Sequence, residues 1–274
     1  MNRVIDNDPS LLITEARHLL YAEPFALVPL IAVADQATGL VRDYLRQHPR
    51  GRHALTQSWR RALLSLLLER HAQWFREQPR HSPPKLRDVR RCSVRHTSLH
   101  GIQVQPGTRL RWIDLAFTHM PHSSWSECDL TDAQLDGIAW PGAQLSGADL
   151  SNSSLHKAQL DEAKLHGTSL MGASLRRASL RHAQLDYADL TGADLAGADL
   201  SNASLHNTYL GRTYAPEVLL MGADLRLADL AGAHLNRARL DGADLRGVDL
   251  RWTELRGASL NQTLTDVHTR LPEG

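Results

Sequence analysis

From Leu130 to Leu260 every fifth residue is leucine, with Trp140 and Ala215 the two exceptions. A five-residue step turns an α-helix by about 140° and would scatter these leucines around its axis, whereas in a flat strand an odd step alternates faces. Neither common element gathers them, so the chain must change direction within each repeat. Two residues before these 27 sites the residue is Ala in 18 cases, the others being Cys128, Ile138, Ser153, Thr168, Thr208, Thr213, Val218, Val248 and Thr253. The residue just before each site is mostly polar, and glycine is frequent two residues after it, as in Gly192 to Leu200. Small and large inward positions thus recur in fixed order, polar groups point outward, and glycines mark the bends.

A right-angle turn per pentapeptide closes a square coil in about 20 residues, and stacking such coils at a strand spacing of about 4.8 Å packs the leucines inside. The fold class is mainly β, a parallel β-solenoid. Towards the N-terminus the register continues through Trp125, Met120, Leu115 and Leu110, with Ser123, Thr118, Ile113 and Thr108 at the small positions. It then slips by one residue at Gln105-Pro106-Gly107, before which Val104, Leu99 and Val94 are centres and Ile102, Thr97 and Cys92 the small residues. The repeats predict about 8.5 coils and a rod about 40 Å long. Local irregularity is expected at Thr213-Tyr214-Ala215-Pro216-Glu217, which has a small centre followed by proline.

The triplets Ala148-Asp149-Leu150, Ala188-Asp189-Leu190, Ala193-Asp194-Leu195, Ala198-Asp199-Leu200, Ala223-Asp224-Leu225 and Ala243-Asp244-Leu245 resemble the A(D/N)LXX consensus of the pentapeptide-repeat family. The resemblance implies a right-handed quadrilateral β-helix. It also implies a bacterial interaction protein. Some members present a DNA-like acidic rod to DNA gyrase in quinolone resistance or antibiotic self-immunity, others are secreted effectors, and some dimerise through the C-terminal coil.

Residues 1–91 carry no pentapeptide register and read as helices over roughly 9–22, 25–47 and 54–78. In the last, Leu55, Trp59, Leu63, Leu66, Leu67, Trp74 and Phe75 contribute to an apolar stripe, leaving Arg60, Arg61 and Arg70 for the polar face. The domain organisation expected is a helical domain at 1–78, a basic proline-rich linker at 79–91, the solenoid at 92–264 and a tail or cap at 265–274. The stretch Phe25 to Ala34 is too short to cross a bilayer. The acidic start lacks the basic end of an export signal, so a cytoplasmic protein is expected. Charge is divided: residues 1–91 hold 15 Lys+Arg against 9 Asp+Glu, or +6, residues 92–264 hold 15 against 19, or −4, and the tail adds −1. Neither part argues for direct nucleic-acid binding. Cys92 and Cys128 occupy small inward positions and are expected to be buried and reduced.

Residues 20 apart stack on one face, so columns take the place of motifs. His166, Asp186 and His206 form the one column with metal-ligand chemistry, but histidines two coils apart suit a zinc centre poorly. Asp129, Asp149, Ser169, Asp189, Tyr209, Asp229 and Asp249 form an acidic column without an interleaved base. Asp129, Asp149, Asp189, Asp229 and Asp249 are partner-binding candidates, as are Arg60, Arg61 and Arg70. No catalytic triad, phosphate loop or clustered Cys/His motif is present, so no enzyme, no cofactor and no metal are expected. The expected function is a protein-interaction scaffold whose helical domain caps the rod and supplies specificity, with gyrase mimicry and a secreted effector or adaptor as alternatives.

Overall fold

The computed structural model describes residues 104, 106, 107, 110, 111 and 113–272, within a compact unit spanning His100–Gly274. The expected helices and linker, Arg60, Arg61, Arg70 and Cys92 lie outside the described residues.

Each pentapeptide contributes one residue to a parallel ladder, linking Asp114 to Gln134, His119 to Ala139, Ser124 to Gln144 and Asp129 to Asp149, and so on up the rod at intervals of 20. The result is a right-handed quadrilateral β-helix. Its four faces are named here by their central leucines: face A holds Leu130, face B Leu135, face D Leu145, and face C is centred on Trp140. The amide positions explain the period. In one repeat, Ala133 N–H closes a turn onto Leu130 O (3.1 Å), Gln134 N–H reaches back to Ile113 O (2.8 Å), and Leu135 and Gly137 N–H reach forward to Ser154 O (2.7 Å) and His156 O (2.8 Å). Four of five amides thus find backbone acceptors, and only the residue after the centre does not. Proline fits there because it has no N–H to lose. Pro121, Pro141 and Pro216 all occupy this place.

The second residue after the centre takes a positive φ, as at Gly137 (+59°), Asp132 (+59°), Asn152 (+56°) and Leu227 (+57°), which is the third-residue requirement of a type II turn. Side chains are tolerated there, and the neighbouring coil demands glycine at only some of these corners. A Cβ on Gly137 would stand 2.5 Å from the Phe117 ring, whereas one on Gly167 would meet nothing within 4 Å. Gly137→Ala is expected to cost about 1–2 kcal/mol and Gly167→Ala clearly less. Equal losses in chemical denaturation would show that backbone strain alone sets the cost.

Centres and small positions are buried from Leu110 to Leu250, as the pattern requires. Where tryptophan replaces leucine, the core organises around a hydroxyl. The Trp125 and Trp140 rings meet edge to face with centroids 5.4 Å apart. Both indoles donate to Ser123 Oγ (3.0 and 2.5 Å), which donates to Met120 O at 2.9 Å. Cys128 is a buried thiol.

Two local expectations need correction. The backbone runs through Thr213–Glu217 without a break: Ala215 N–H meets His234 O at 2.9 Å and Tyr214 pairs with both Asp194 and His234. The small centre leaves instead an apolar cavity of about 10 Å³ beside Leu195, Leu210, Val218 and Leu235. At the other end the ladder enters the expected tail, where one extra residue makes Arg270 pair with Asp249. There the Asp266 carboxylate accepts the Gly247 N–H at 3.0 Å, in the place of a backbone carbonyl. In the C-terminal described coil Leu264, Val267 and Leu271 are exposed by 54%, 92% and 55%.

Candidate functional site

The amide after each centre needs an acceptor, and two carboxylate placements supply it. An aspartate just before the centre bonds it within the repeat: Asp129 to Thr131 N–H, Asp149 to Ser151, Asp189 to Thr191, Asp229 to Ala231 and Asp249 to Arg251, at 2.9 to 3.2 Å. Alternatively, an acid just after the centre reaches the same amide one coil later, as Asp136 does to His156 and Asp161 to Arg181. The Asp of the Ala-Asp-Leu triplets therefore has a backbone duty before any partner is considered.

The ladder brings Asp129, Asp149, Ser169, Asp189, Tyr209 and Asp229 into one column. That column is not free of bases at its ends, as the sequence suggested. Asp129 lies 4.0 Å from the Arg111 guanidinium, Asp249 is doubly bonded by Arg251 at 2.6 and 3.0 Å, and Arg270 continues the column. Asp189 and Asp229, by contrast, form no ion pair among the described residues.

His166, Asp186 and His206 are not drawn into one centre. The Asp186 carboxylate accepts Ser204 O–H (2.5 Å) and His206 N–H (3.0 Å). The Tyr187 ring stands edge-on to both imidazoles, 5.3 Å from His166 and 6.2 Å from His206. Among the described residues no group of three His, Cys, Asp or Glu could hold a metal ion, and no helix is long and apolar enough to cross a membrane.

Charge is most tightly organised near the C-terminal end. Arg226 bonds Asp224 (2.6 Å) and faces Asp244 at 3.7 Å, which in turn bonds Arg246 at 2.6 Å. Hydrogen bonds from these guanidiniums hold the Asp224 and Asp244 carboxyls below the usual range, and Arg251 takes Asp249 down to about 2. Asn236, with His234, lowers Glu254, and the Gly247 amide is the main influence lowering Asp266. Carboxyls lowered on folding stabilise the fold above their unfolded pKa of about 4, and that contribution is lost as pH falls through the folded values. Between about pH 4 and pH 2 the C-terminal coils are therefore expected to loosen first. Amide exchange at Leu245, Leu250 and Arg270 should accelerate ahead of Leu145 and Leu165; a uniform acceleration would contradict this.

The outward position before the centre is polar along most of the rod, but in one coil it is Tyr209, Tyr214 and Leu219 on faces A, B and C in succession. Tyr209 and Tyr214 are 54% and 50% exposed, with Leu227 (55%) and Tyr187 (52%) at the corner between faces D and A. The signal lay along the coil rather than down the columns.

A profile described as pentapeptide repeats matches residues 142–177, 173–212 and 223–262, in eight copies. No curated protein matches the chain. Similar solved structures include HetL, a pentapeptide repeat protein involved in heterocyst differentiation regulation in the cyanobacterium Nostoc sp. strain PCC 7120, at 27% identity over 62% of this chain and 87% of HetL, TM-score 0.39. Another is alr5209, a pentapeptide repeat protein from the same Nostoc strain, at 38% identity over 36% of this chain and 77% of alr5209, TM-score 0.22. Full-length QnrB1, a plasmid-mediated fluoroquinolone resistance protein, is 18% identical over 62% of this chain and 94% of its own, TM-score 0.30.

Proposed function

The chain belongs to the pentapeptide-repeat family, and on that premise we propose that it is a non-enzymatic interaction scaffold of a reducing, cytoplasmic compartment. The observation that carries this reading is the girdle of Tyr209, Tyr214 and Leu219, three large side chains in succession at an outward position that is polar along most of the rod. Large aromatic side chains held on a rigid ladder cost little entropy to bury, and such residues anchor protein interfaces. The basic segment 1–91, with Arg60, Arg61 and Arg70, supplies partner specificity in this reading. Affinity capture at about 150 mM salt should retain a protein on the full chain and lose it from residues 92–274. Equal retention by both would return specificity to the rod, and retention of nothing would sink the scaffold.

The column of Asp129, Asp149, Asp189 and Asp229 favours a second reading, gyrase binding by an acidic rod. Supercoiling assays with and without a quinolone test it, and an unchanged gyrase activity at saturating protein excludes it. Direct DNA binding is not expected, because arginines and carboxylates are mixed over the surface; a gel shift persisting at about 150 mM salt would reverse that. The exposed surface at Leu264, Val267 and Leu271 is read as a two-fold contact between copies. Val267→Glu should then convert a dimer to a monomer in sedimentation, and a monomeric parent protein rules the contact out.

A further inference from the structure

We propose that Tyr209, with Asp189 and Asp229 on either side of it, is a docking site for a basic, proline-rich protein segment running along the rod on face A. The inference rests on the scaffold reading and names the chemistry of the partner. Asp189 pairs with Tyr209 across one coil boundary and Tyr209 with Asp229 across the next, so the three stand in a straight line with the carboxylates about 9.6 Å apart, two strand spacings. Each carboxylate is already oriented: Asp189 Oδ1 accepts the Thr191 N–H at 2.9 Å and Asp229 Oδ1 the Ala231 N–H at 3.0 Å. Their second oxygens remain for an incoming donor, since neither acid forms an ion pair among the described residues. Elsewhere the acids beside the girdle are already engaged, Asp194 by Arg176 at 3.0 Å and Asp199 by Arg181 at 3.8 Å. The uncompensated negative charge next to the girdle is therefore on face A.

The spacing selects the partner. In a polyproline II helix residues three apart project on one side, separated by about 9.3 Å, which matches the two carboxylates. In a β-strand an odd step projects to opposite sides, so an extended strand cannot place two basic side chains this way. An Arg-Pro-Pro-Arg segment would set one guanidinium at each carboxylate and rest its proline rings on Tyr209, as proline-rich segments do on aromatic surfaces. The corner after Tyr209 is formed by Gly211, which presents no side chain, and by Arg212, whose side chain runs along the corner towards Gly232 of the next coil.

The test uses a fluorescein-labelled Gly-Arg-Pro-Pro-Arg-Gly peptide and the full chain, read by fluorescence anisotropy at about 150 mM salt. Asp189→Asn with Asp229→Asn should weaken binding about tenfold, and Tyr209→Ser about fivefold. Asparagine keeps the acceptor for each turn amide, and serine already stands at 169 in the same column, so these variants keep the coil. Asp129→Asn with Asp149→Asn removes the same charge from the same column and should change binding by less than about twofold. A Glu-Pro-Pro-Glu peptide should not bind. Equal weakening by the two double variants reduces the effect to general attraction and overturns the proposal, as does no binding to the parent protein at about 1 mM peptide. A partner captured by the full chain but insensitive to Tyr209→Ser leaves the scaffold standing and removes this site.

Discussion

Leu165→Arg is expected to destroy cooperative folding of the central coils. Leu165 is fully buried and its amide anchors the next coil through Gln184 O at 2.7 Å, so an arginine there must either bury a charge among leucines or force the coil apart. An uncompensated buried charge costs several kcal/mol. In a stacked array each coil is stabilised chiefly by its neighbours, so the damage spreads to both sides of the break. Gln184→Arg, at an exposed position between the buried Ala183 and Leu185, should stay within about 0.5 kcal/mol of the parent protein. Thermal melts followed by circular dichroism compare the two. Similar melting of both variants would refute the assignment of inward and outward positions.

Ser123→Ala is the second large effect. Removing one hydroxyl leaves the indole N–H groups of Trp125 and Trp140 without their acceptor inside the core. A buried donor left unsatisfied costs about 1–3 kcal/mol, so the pair should lose about 2–6 kcal/mol, far beyond the loss of a surface serine. Ser123→Thr keeps the hydroxyl and should recover most of it, because threonine already occupies the equivalent position at Thr118 and bonds Leu115 O at 2.7 Å. The measurement is urea denaturation followed by tryptophan emission. If alanine and threonine are equally harmful, volume rather than hydrogen bonding governs this part of the core.

The sequence by itself determined the rod, because a period of five fits neither helix nor flat strand while alternating small and large residues demand a common interior. Leu130 through Leu250 and the small positions before them are buried where that pattern puts them. The one-residue slip before Leu110 was also legible: Leu110 N–H meets Asp129 O, 19 residues on, whereas Val104 N–H meets Ser124 O, 20 residues on. Other features belong to contacts between coils, which a linear repeat does not display. The sequence aligned Asp129 with Asp249 in one column, but only the neighbouring coil decided that Asp129 stands 4.0 Å from the Arg111 guanidinium, while Asp189 and Asp229 form no ion pair among the described residues. Trp125 and Trp140 lie in different repeats and on different faces, so their shared serine emerges only when the coils stack. Ala215 followed by Pro216 suggested local irregularity, yet backbone hydrogen bonds depend on register rather than on the size of the side chain at the centre. Proline at 216 removes the one amide that has no backbone acceptor, so the chain continues and the missing leucine volume remains as a cavity.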